Sequence, residues 1–131
     1  MNSKAIFSTR VLLGLIFSIF GLNGLLFVVL GWGFIPMPPP PPEMMPIFTG
    51  FMATHYLMQL VKVIEISAGL MLLGNRFVNL ALFLLGPIVV NILCIHIFAD
   101  RQGLPMAVLV TGLFSHQIYA RWNVFRPFLT K

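Results

Sequence analysis

The sequence predicts an all-α integral membrane protein, a four-helix bundle with short antiparallel connections and one long Pro-rich loop that faces outward. Of its 131 residues, 59% are apolar and only 8% are charged, and the mean hydropathy is +0.98. A soluble domain has about 25% charged residues, so this chain lacks the charge to cover a water-facing surface. The chain divides into four apolar stretches, and we treat residues 1–131 as a single transmembrane domain.

The four stretches are predicted to be membrane spans, at about 10–33, 52–74, 77–99 and 104–121. At about 1.5 Å per residue, each suits a hydrocarbon core of about 30 Å. The apolar run of span 1 exceeds the ~7–15 residues of a signal-peptide core, so we predict a retained helix. Gly14, Ser18 and Gly21 form a small-residue stripe in this span. The stripe permits close approach of another helix, either within the bundle or from a second copy.

The connections between the spans differ in length. The turns at 74–76 ("GNR") and 100–103 ("DRQG") are short, so spans 2, 3 and 4 should be antiparallel neighbours. The link from span 1 to span 2 holds "PMPPPPPEMMP" (36–46), whose five consecutive prolines favour an extended polyproline II segment. This segment is either a stiff spacer or a partner-docking lid. Four apolar side chains near it are candidates to fold back over the bundle mouth: Met37, Met44, Met45 and Phe48.

The basic residues predict the orientation. One side of the predicted bundle has six of them outside the spans or at span ends: Lys4, Arg10, Arg76, Arg121, Arg126 and Lys131. The other side has only Arg101. Because basic residues concentrate on the cytoplasmic side, we expect both termini in the cytoplasm of a bacterial cell and the protein in its inner membrane. Topology thus explains the net charge of +5, and no basic cluster with interleaved aromatic residues indicates a nucleic-acid partner.

Ionisable residues inside the second span indicate a functional site. On a continuous helix, His55, Gln59 and Lys62 would lie within about 60° of one another, with Glu65 at the border of that face. Lys62 and Glu65 are spaced i, i+3 and can form an ion pair. This pair either only fixes packing, or it handles protons or a ligand in a low-dielectric cavity.

Depth in the membrane groups further polar residues with this pair. We expect Asn23, Lys62, Glu65 and Asn91 in one layer near mid-depth, with His55 and His96 above them. Together these six residues are the predicted ligand-binding site, a polar pocket that opens outward. The alternative for each asparagine is a hydrogen bond between helices. His116 lies near the inner end of span 4, and there we expect a structural hydrogen bond.

Cofactor chemistry is constrained by the same residues. A b-type haem needs two histidines on different helices that face each other at matching depth. His55 and His96 are the only candidate pair, and because neither lies in a recognisable motif, haem is disfavoured. Glu65 is the only carboxylate within a span, so no zinc or di-iron site is predicted. Cys94 lies in an apolar setting and is predicted to be a buried small hydrophobe. The cofactor stays unassigned, with a quinone as the candidate.

Several stretches together resemble a known family. They are "FGLNGLL" in span 1, "LVKVIEISAGLMLLGNRFVNLALFLLGPIVVNIL" across spans 2 and 3, "HIFADRQGLPMAVL" and the tail "FRPFL". With the proline-rich loop, they resemble the DoxX family of small four-span bacterial membrane proteins. The resemblance implies a membrane partner of redox or thiol proteins, with Asn23, Lys62, Glu65, Asn91 and His96 at the family's positions. The chain has one cysteine, so thiol redox chemistry would require a partner protein.

Three functions follow as hypotheses. The first is a redox-associated subunit that binds a quinone or another apolar ligand in the outward pocket. The alternative is a non-catalytic scaffold or accessory subunit of a larger membrane assembly, and the third is a small-solute or proton pathway through Glu65. No complete catalytic constellation is present in the sequence, so enzymatic activity stays open. The expected partners are the lipid bilayer and either a second copy or a larger membrane protein.

Overall fold

The computed structural model describes residues 2–131, and all regular structure in this part of the chain is helical. The helices are α1 (Ser3–Leu30), α2 (Met45–Ala53), α3 (Leu57–Leu73), α4 (Val78–Phe98), α5 (Leu104–Ala120) and α6 (Trp122–Phe125). Short 3-10 turns follow α4 at Arg101–Gly103 and α6 at Arg126–Leu129.

The four longest helices pack side by side in a ring. α1 packs against α3 and α5, and α4 packs against the same two helices on the other side. Gly24 of α1 lies beside Lys62, whereas Gly14 lies beside Leu72, so α1 and α3 are antiparallel. α3 contacts α4, and α4 contacts α5. Turns of a few residues join these helices, as predicted for the helical parts of spans 2, 3 and 4.

The ring has two distinct ends. We call the end with the start of α1, the α3–α4 turn and the end of α5 the terminal end. We call the opposite end, which carries residues 31–44, α2 and the α4–α5 turn, the loop end. The centre of the ring is mostly apolar, and its completely buried apolar side chains come from α1, α3 and α4: Leu13, Ala68, Leu72, Ala81, Leu82 and Leu85.

The outer surface of the ring is apolar as well. Large side chains such as Leu70, Phe83 and Val90 are each more than half exposed. α1 and α4 are long and apolar enough to cross a membrane, and α2 with α3 makes a third candidate if the bent pair is one span. The structure therefore supports the prediction of a helical membrane protein, with two or three candidate spanning helices.

The predicted second span is not one continuous helix. α2 and α3 meet at an angle of 92°, and residues 54–56 separate them. The hydroxyl of Thr54 accepts a hydrogen bond from the Leu57 amide at 3.0 Å, which starts α3. His55 adopts a left-handed backbone conformation with φ 63°. The predicted helical stripe that contained His55 is therefore wrong, because His55 lies in the break.

α1 extends beyond the predicted start of span 1. It begins at Ser3, where the side chain of Asn2 caps it by accepting a hydrogen bond from the Lys4 amide. A side-chain cap of this kind satisfies one of the unpaired donors of the first helical turn.

The small-residue stripe of α1 is used inside the ring. A methyl group at Gly69 of α3 would lie 2.7 Å from the backbone nitrogen of Ser18 and 2.9 Å from the carbonyl oxygen of Gly14. The backbones of α1 and α3 are therefore in close contact, which only glycine at this position permits. Of the two predicted uses of the stripe, packing within the bundle is the one observed.

Candidate ligand-binding groove

A groove opens at the loop end between α2, α3 and α4. Its volume is about 430 Å³, within the range of about 300–1,000 Å³ that is usual for small-molecule sites. Its walls are mostly apolar and comprise Met44, Phe48, Phe51, Leu57, Met58, Val61, Pro87, Ile88, Ile92 and Ile95. Three polar side chains complete the lining, namely Lys62, Glu65 and Asn91. An apolar cavity with a few convergent polar groups is the usual form of a binding site.

α2 forms one wall of the groove. Its position is supported by Phe48, whose ring centroid lies 6.4 Å from that of Phe27 on α1. The predicted folding back of the proline-rich connection is therefore observed for Met44 and Phe48, which line the groove. Met37 and Met45 are instead exposed. The 92° bend before α3 places α2 across this end of the ring.

Lys62 and Glu65 form the predicted ion pair, with 3.1 Å between Nζ and Oε2. The carboxylate side chain is 5% exposed and the lysine side chain 21% exposed. Glu65 is therefore buried more deeply in the groove than Lys62. A charged pair at this depth is stable only because each partner satisfies the other.

Gly24 of α1 positions the lysine, and sequence reasoning did not identify it. A methyl group at Gly24 would lie 2.7 Å from Lys62 Cε and 2.9 Å from Cδ. The aliphatic stem of Lys62 therefore passes directly over this glycine on its way to Glu65. The available signal was the spacing of Gly24 from Gly21, which puts both near the same face of α1.

Asn91 lies on the α4 wall and its side chain is exposed. Within residues 2–131 its amide makes no hydrogen bond, so two N–H donors and one carbonyl acceptor are available. An unpaired amide at membrane depth costs free energy unless a ligand, water or another chain satisfies it. Asn91 is therefore the side chain in the groove with the most unused hydrogen-bonding capacity.

Asn23 does not line the groove. Its Oδ1 accepts a hydrogen bond from the Ile35 amide at 2.9 Å, and its Nδ2 donates to the Ile35 carbonyl at 3.3 Å. Gly33 packs against the same amide with no space for a β-carbon. Asn23 therefore holds the chain that leaves α1, and α1 contributes no residue to the groove lining.

The two histidines of the predicted site also lie outside the groove lining. His55 is exposed in the break between α2 and α3. His96 Nδ1 lies 2.8 Å from the Asp100 carbonyl oxygen and 3.7 Å from its carboxylate, so this ring stabilises the α4–α5 turn. Gly103 packs on the ring with no room for a β-carbon. The structure thus brings together Lys62, Glu65 and Asn91 of the six predicted residues.

Two further predictions can be compared with the structure. His116 forms the expected structural hydrogen bond, with 2.8 Å between its Nδ1 and the Thr9 hydroxyl. Cys94 is exposed on α4, so the prediction of a buried thiol is wrong, because α4 turns this position away from the ring. Within residues 2–131, no group of three or more His, Cys, Asp or Glu side chains is placed to hold a metal ion.

Comparisons with protein-family models, with curated proteins and with solved structures return no match to this chain. The resemblance to the DoxX family accordingly stays a prediction from the quoted sequence stretches.

Proposed function

We propose that the protein is a four-span bacterial inner-membrane protein whose groove binds a quinone or a similar lipid-soluble ligand with hydrogen-bonding oxygens. In this proposal it acts as a redox-associated subunit, as the resemblance to the DoxX family implies. The observation that carries the proposal is the presence of Lys62, Glu65 and Asn91 in the lining of an otherwise apolar groove beside α2. The apolar walls suit the ring and the tail of a quinone, and the three polar side chains suit its oxygens.

The hydrogen-bonding groups match both redox forms of a quinone. The oxidised form presents two carbonyl acceptors, and Lys62 Nζ and Asn91 Nδ2 are donors for them. The reduced form presents hydroxyl donors, and the Glu65 carboxylate and Asn91 Oδ1 are acceptors for them. Lys62 uses one N–H on Glu65 at 3.1 Å and retains two. The chain contributes binding and proton-accepting groups, and a redox partner would supply the electrons.

Membrane topology in this proposal follows the ring. α1, α3, α4 and α5 each cross the bilayer, and α2 lies across the loop end after the 92° bend. α3 and α5 have 17 residues each, or about 25 Å at 1.5 Å per residue, which suits a thin hydrocarbon core. The excess of basic residues supports a cytoplasmic position for the terminal end. The groove then opens on the outer half of the membrane.

The two alternative functions have less support in the packing. The small-residue stripe is covered by α3, so it does not serve as the docking face that favoured a scaffold. A solute or proton pathway would have to continue from Glu65 toward the terminal end. That part of the ring centre is filled by Leu13, Leu72 and Leu82, which are completely buried.

The test is quinone binding by protein purified in mild detergent or nanodiscs. A short-chain quinone is titrated while the fluorescence of the protein is recorded, and organic extracts of the purified protein are analysed by mass spectrometry. Asn91→Ala removes one hydrogen-bonding group, so we expect about fivefold weaker binding, equivalent to about 1 kcal/mol.

Asn79→Ala is the matched control, because Asn79 is an exposed asparagine of the same helix near the opposite end. It should bind as the wild type does. Absence of saturable quinone binding, or an equal effect of both alanine variants, would contradict the proposed site.

A further inference from the structure

A second polar cluster lies at the terminal end, remote from the groove. At its centre is Gln117 of α5, which is completely buried. Its Nε2 donates to the Ile6 carbonyl at 2.9 Å and to the Thr9 hydroxyl at 2.6 Å. Its Oε1 accepts a hydrogen bond from Arg121 Nη1 at 2.6 Å. The amide thus joins the start of α1 to the end of α5 and fixes the direction of the Arg121 side chain.

Arg10 brings a second guanidinium into this cluster. Its residue is only 6% exposed, and its Nη1 donates to the carbonyl oxygen of Leu72 near the end of α3. The side chain also lies over the Phe7 ring, with 5.4 Å between Cζ and the ring centroid. Arg121 lies at the same end of the ring, because Gln117, which accepts its hydrogen bond, also donates to Thr9, the neighbour of Arg10 in α1. Two like charges in partly buried positions raise the free energy of the folded protein unless an anion neutralises them.

The chain itself supplies little of that negative charge. The carbonyl groups at the end of α3 offset about half of one positive charge. The acidic side chains described in residues 2–131 are Glu43, Glu65 and Asp100. Glu65 is paired with Lys62 in the groove, Glu43 follows the prolines, and Asp100 lies in the α4–α5 turn. Glu65 is at the middle of α3 and the other two are at the loop end. Within residues 2–131, none of the three forms an ion pair with Arg10 or Arg121.

We propose that Arg121 binds the phosphate of an anionic lipid headgroup at the terminal end of the ring, with the buried Arg10 adding positive charge to the site. Each guanidinium has five N–H donors, and the structure uses one nitrogen of each for contacts within the chain. The planar guanidinium fork matches phosphate oxygens. Arg121 is the half-exposed contact group, and the buried Arg10 adds positive potential behind it.

Neighbouring side chains fit a position at the membrane interface. Tyr119 and Trp122 flank Arg121 in the chain and are 69% and 44% exposed. Such amphipathic aromatic residues concentrate at the headgroup level of membranes. Four exposed basic residues at the same end add a diffuse positive field: Lys4, Arg76, Arg126 and Lys131. Basic pockets between helices on the cytoplasmic side are known forms of anionic headgroup sites.

The experiment titrates the full-length, detergent-solubilised protein with phosphatidylglycerol or phosphatidylcholine of equal chain length, and counts bound lipids by native mass spectrometry. We expect the wild type to prefer phosphatidylglycerol. Arg121→Gln should reduce that preference about fivefold, as expected for one basic residue near anionic lipid. Arg121→Lys keeps the charge but lacks the planar fork, so it should retain only part of the preference. Arg126→Gln is the control, because it removes an exposed arginine outside the cluster.

Inorganic phosphate is added in a separate arm, to distinguish a lipid headgroup from free phosphate as the source of the bound phosphate group. If it displaces phosphatidylglycerol from the wild type but not from Arg121→Gln, a phosphate site is supported and soluble phosphate becomes its alternative source. The proposal is overturned if the wild type does not distinguish the two lipids. It is also overturned if Arg121→Gln and Arg126→Gln weaken binding equally, because diffuse surface charge would then explain the preference.

Discussion

Glu65 is buried more deeply than Lys62, so removing one partner of this ion pair should destabilise the protein more than removing the other. Glu65 is 5% exposed in its side chain, and Lys62 is 21% exposed. Lys62→Met leaves a carboxylate without a partner in the protein interior. Glu65→Gln leaves an ammonium on a flexible stem, which can extend toward the opening of the groove. The lysine substitution should therefore be the more destabilising one.

The magnitude follows from the geometry. At 3.1 Å, the gross attraction between unit charges is about 5 kcal/mol at an effective dielectric constant of about 20. Desolvation offsets much of this attraction, and removal of one partner from a buried pair costs about 3–5 kcal/mol. We expect Lys62→Met to lower the free energy of unfolding by about 3 kcal/mol. Because Lys62 can reach a wetter position, we expect about 1 kcal/mol for Glu65→Gln.

The double variant completes a thermodynamic cycle. Lys62→Met with Glu65→Gln leaves no unpaired charge, so it should cost no more than about 2 kcal/mol, less than the two single effects combined. Unfolding by SDS in mixed micelles, followed by circular dichroism, measures all four proteins. Additive losses, or a larger loss for Glu65→Gln than for Lys62→Met, would refute the reasoning that burial of the carboxylate dominates.

Two further predictions concern contacts of α1. Gly69→Ala should lower the free energy of unfolding by about 1–3 kcal/mol, because its methyl group meets the Ser18 backbone. Gly112 has open space around it, so Gly112→Ala should be neutral or slightly stabilising by helix propensity. Equal unfolding free energies for the two variants would disprove the close approach. Asn23→Ala should release the Ile35 amide, so hydrogen exchange at this amide should become faster while the helix centres keep their protection. Unchanged exchange at Ile35 would show that this hydrogen bond does not hold the loop.

Features that depend on short stretches of sequence were predictable. The pairing of Lys62 with Glu65 follows from the i, i+3 spacing within one helix. The antiparallel packing of α3, α4 and α5 follows from turns too short to allow anything else. The bounds of α4 and α5 agree within one or two residues with the predicted spans, because polar turns mark their ends clearly.

The break between α2 and α3 was not predictable from hydropathy. Both segments are apolar, and average hydropathy records composition rather than the direction of the helix axis. The local signal was Thr54, whose hydroxyl donates to the Phe51 carbonyl at 2.7 Å and accepts from the Leu57 amide at 3.0 Å. Threonine commonly makes such backbone hydrogen bonds at helix ends. The break moves His55 out of the predicted stripe.

The candidate site was predicted only in part, because the depth of a side chain along its helix and the direction in which it points are separate quantities. Counting residues along a span estimates the depth of a side chain, and this put Asn23 and Asn91 at one level. The direction in which each side chain points depends on how each helix is rotated about its axis. That rotation is set by contacts distant in sequence, such as Gly69 against Ser18. Asn91 consequently faces the groove, whereas Asn23 faces the chain that follows α1.

Photo-crosslinking shows directly whether the groove between α2, α3 and α4 binds a quinone. A quinone with a photoreactive group on its ring is bound to the purified protein and irradiated, and the labelled peptides are sequenced. We expect labels at Met58 and Ile92, and an excess of unmodified quinone should suppress them. Labels spread over outward-facing positions such as Leu70 and Phe83, with no suppression by competitor, would contradict a specific site in the groove.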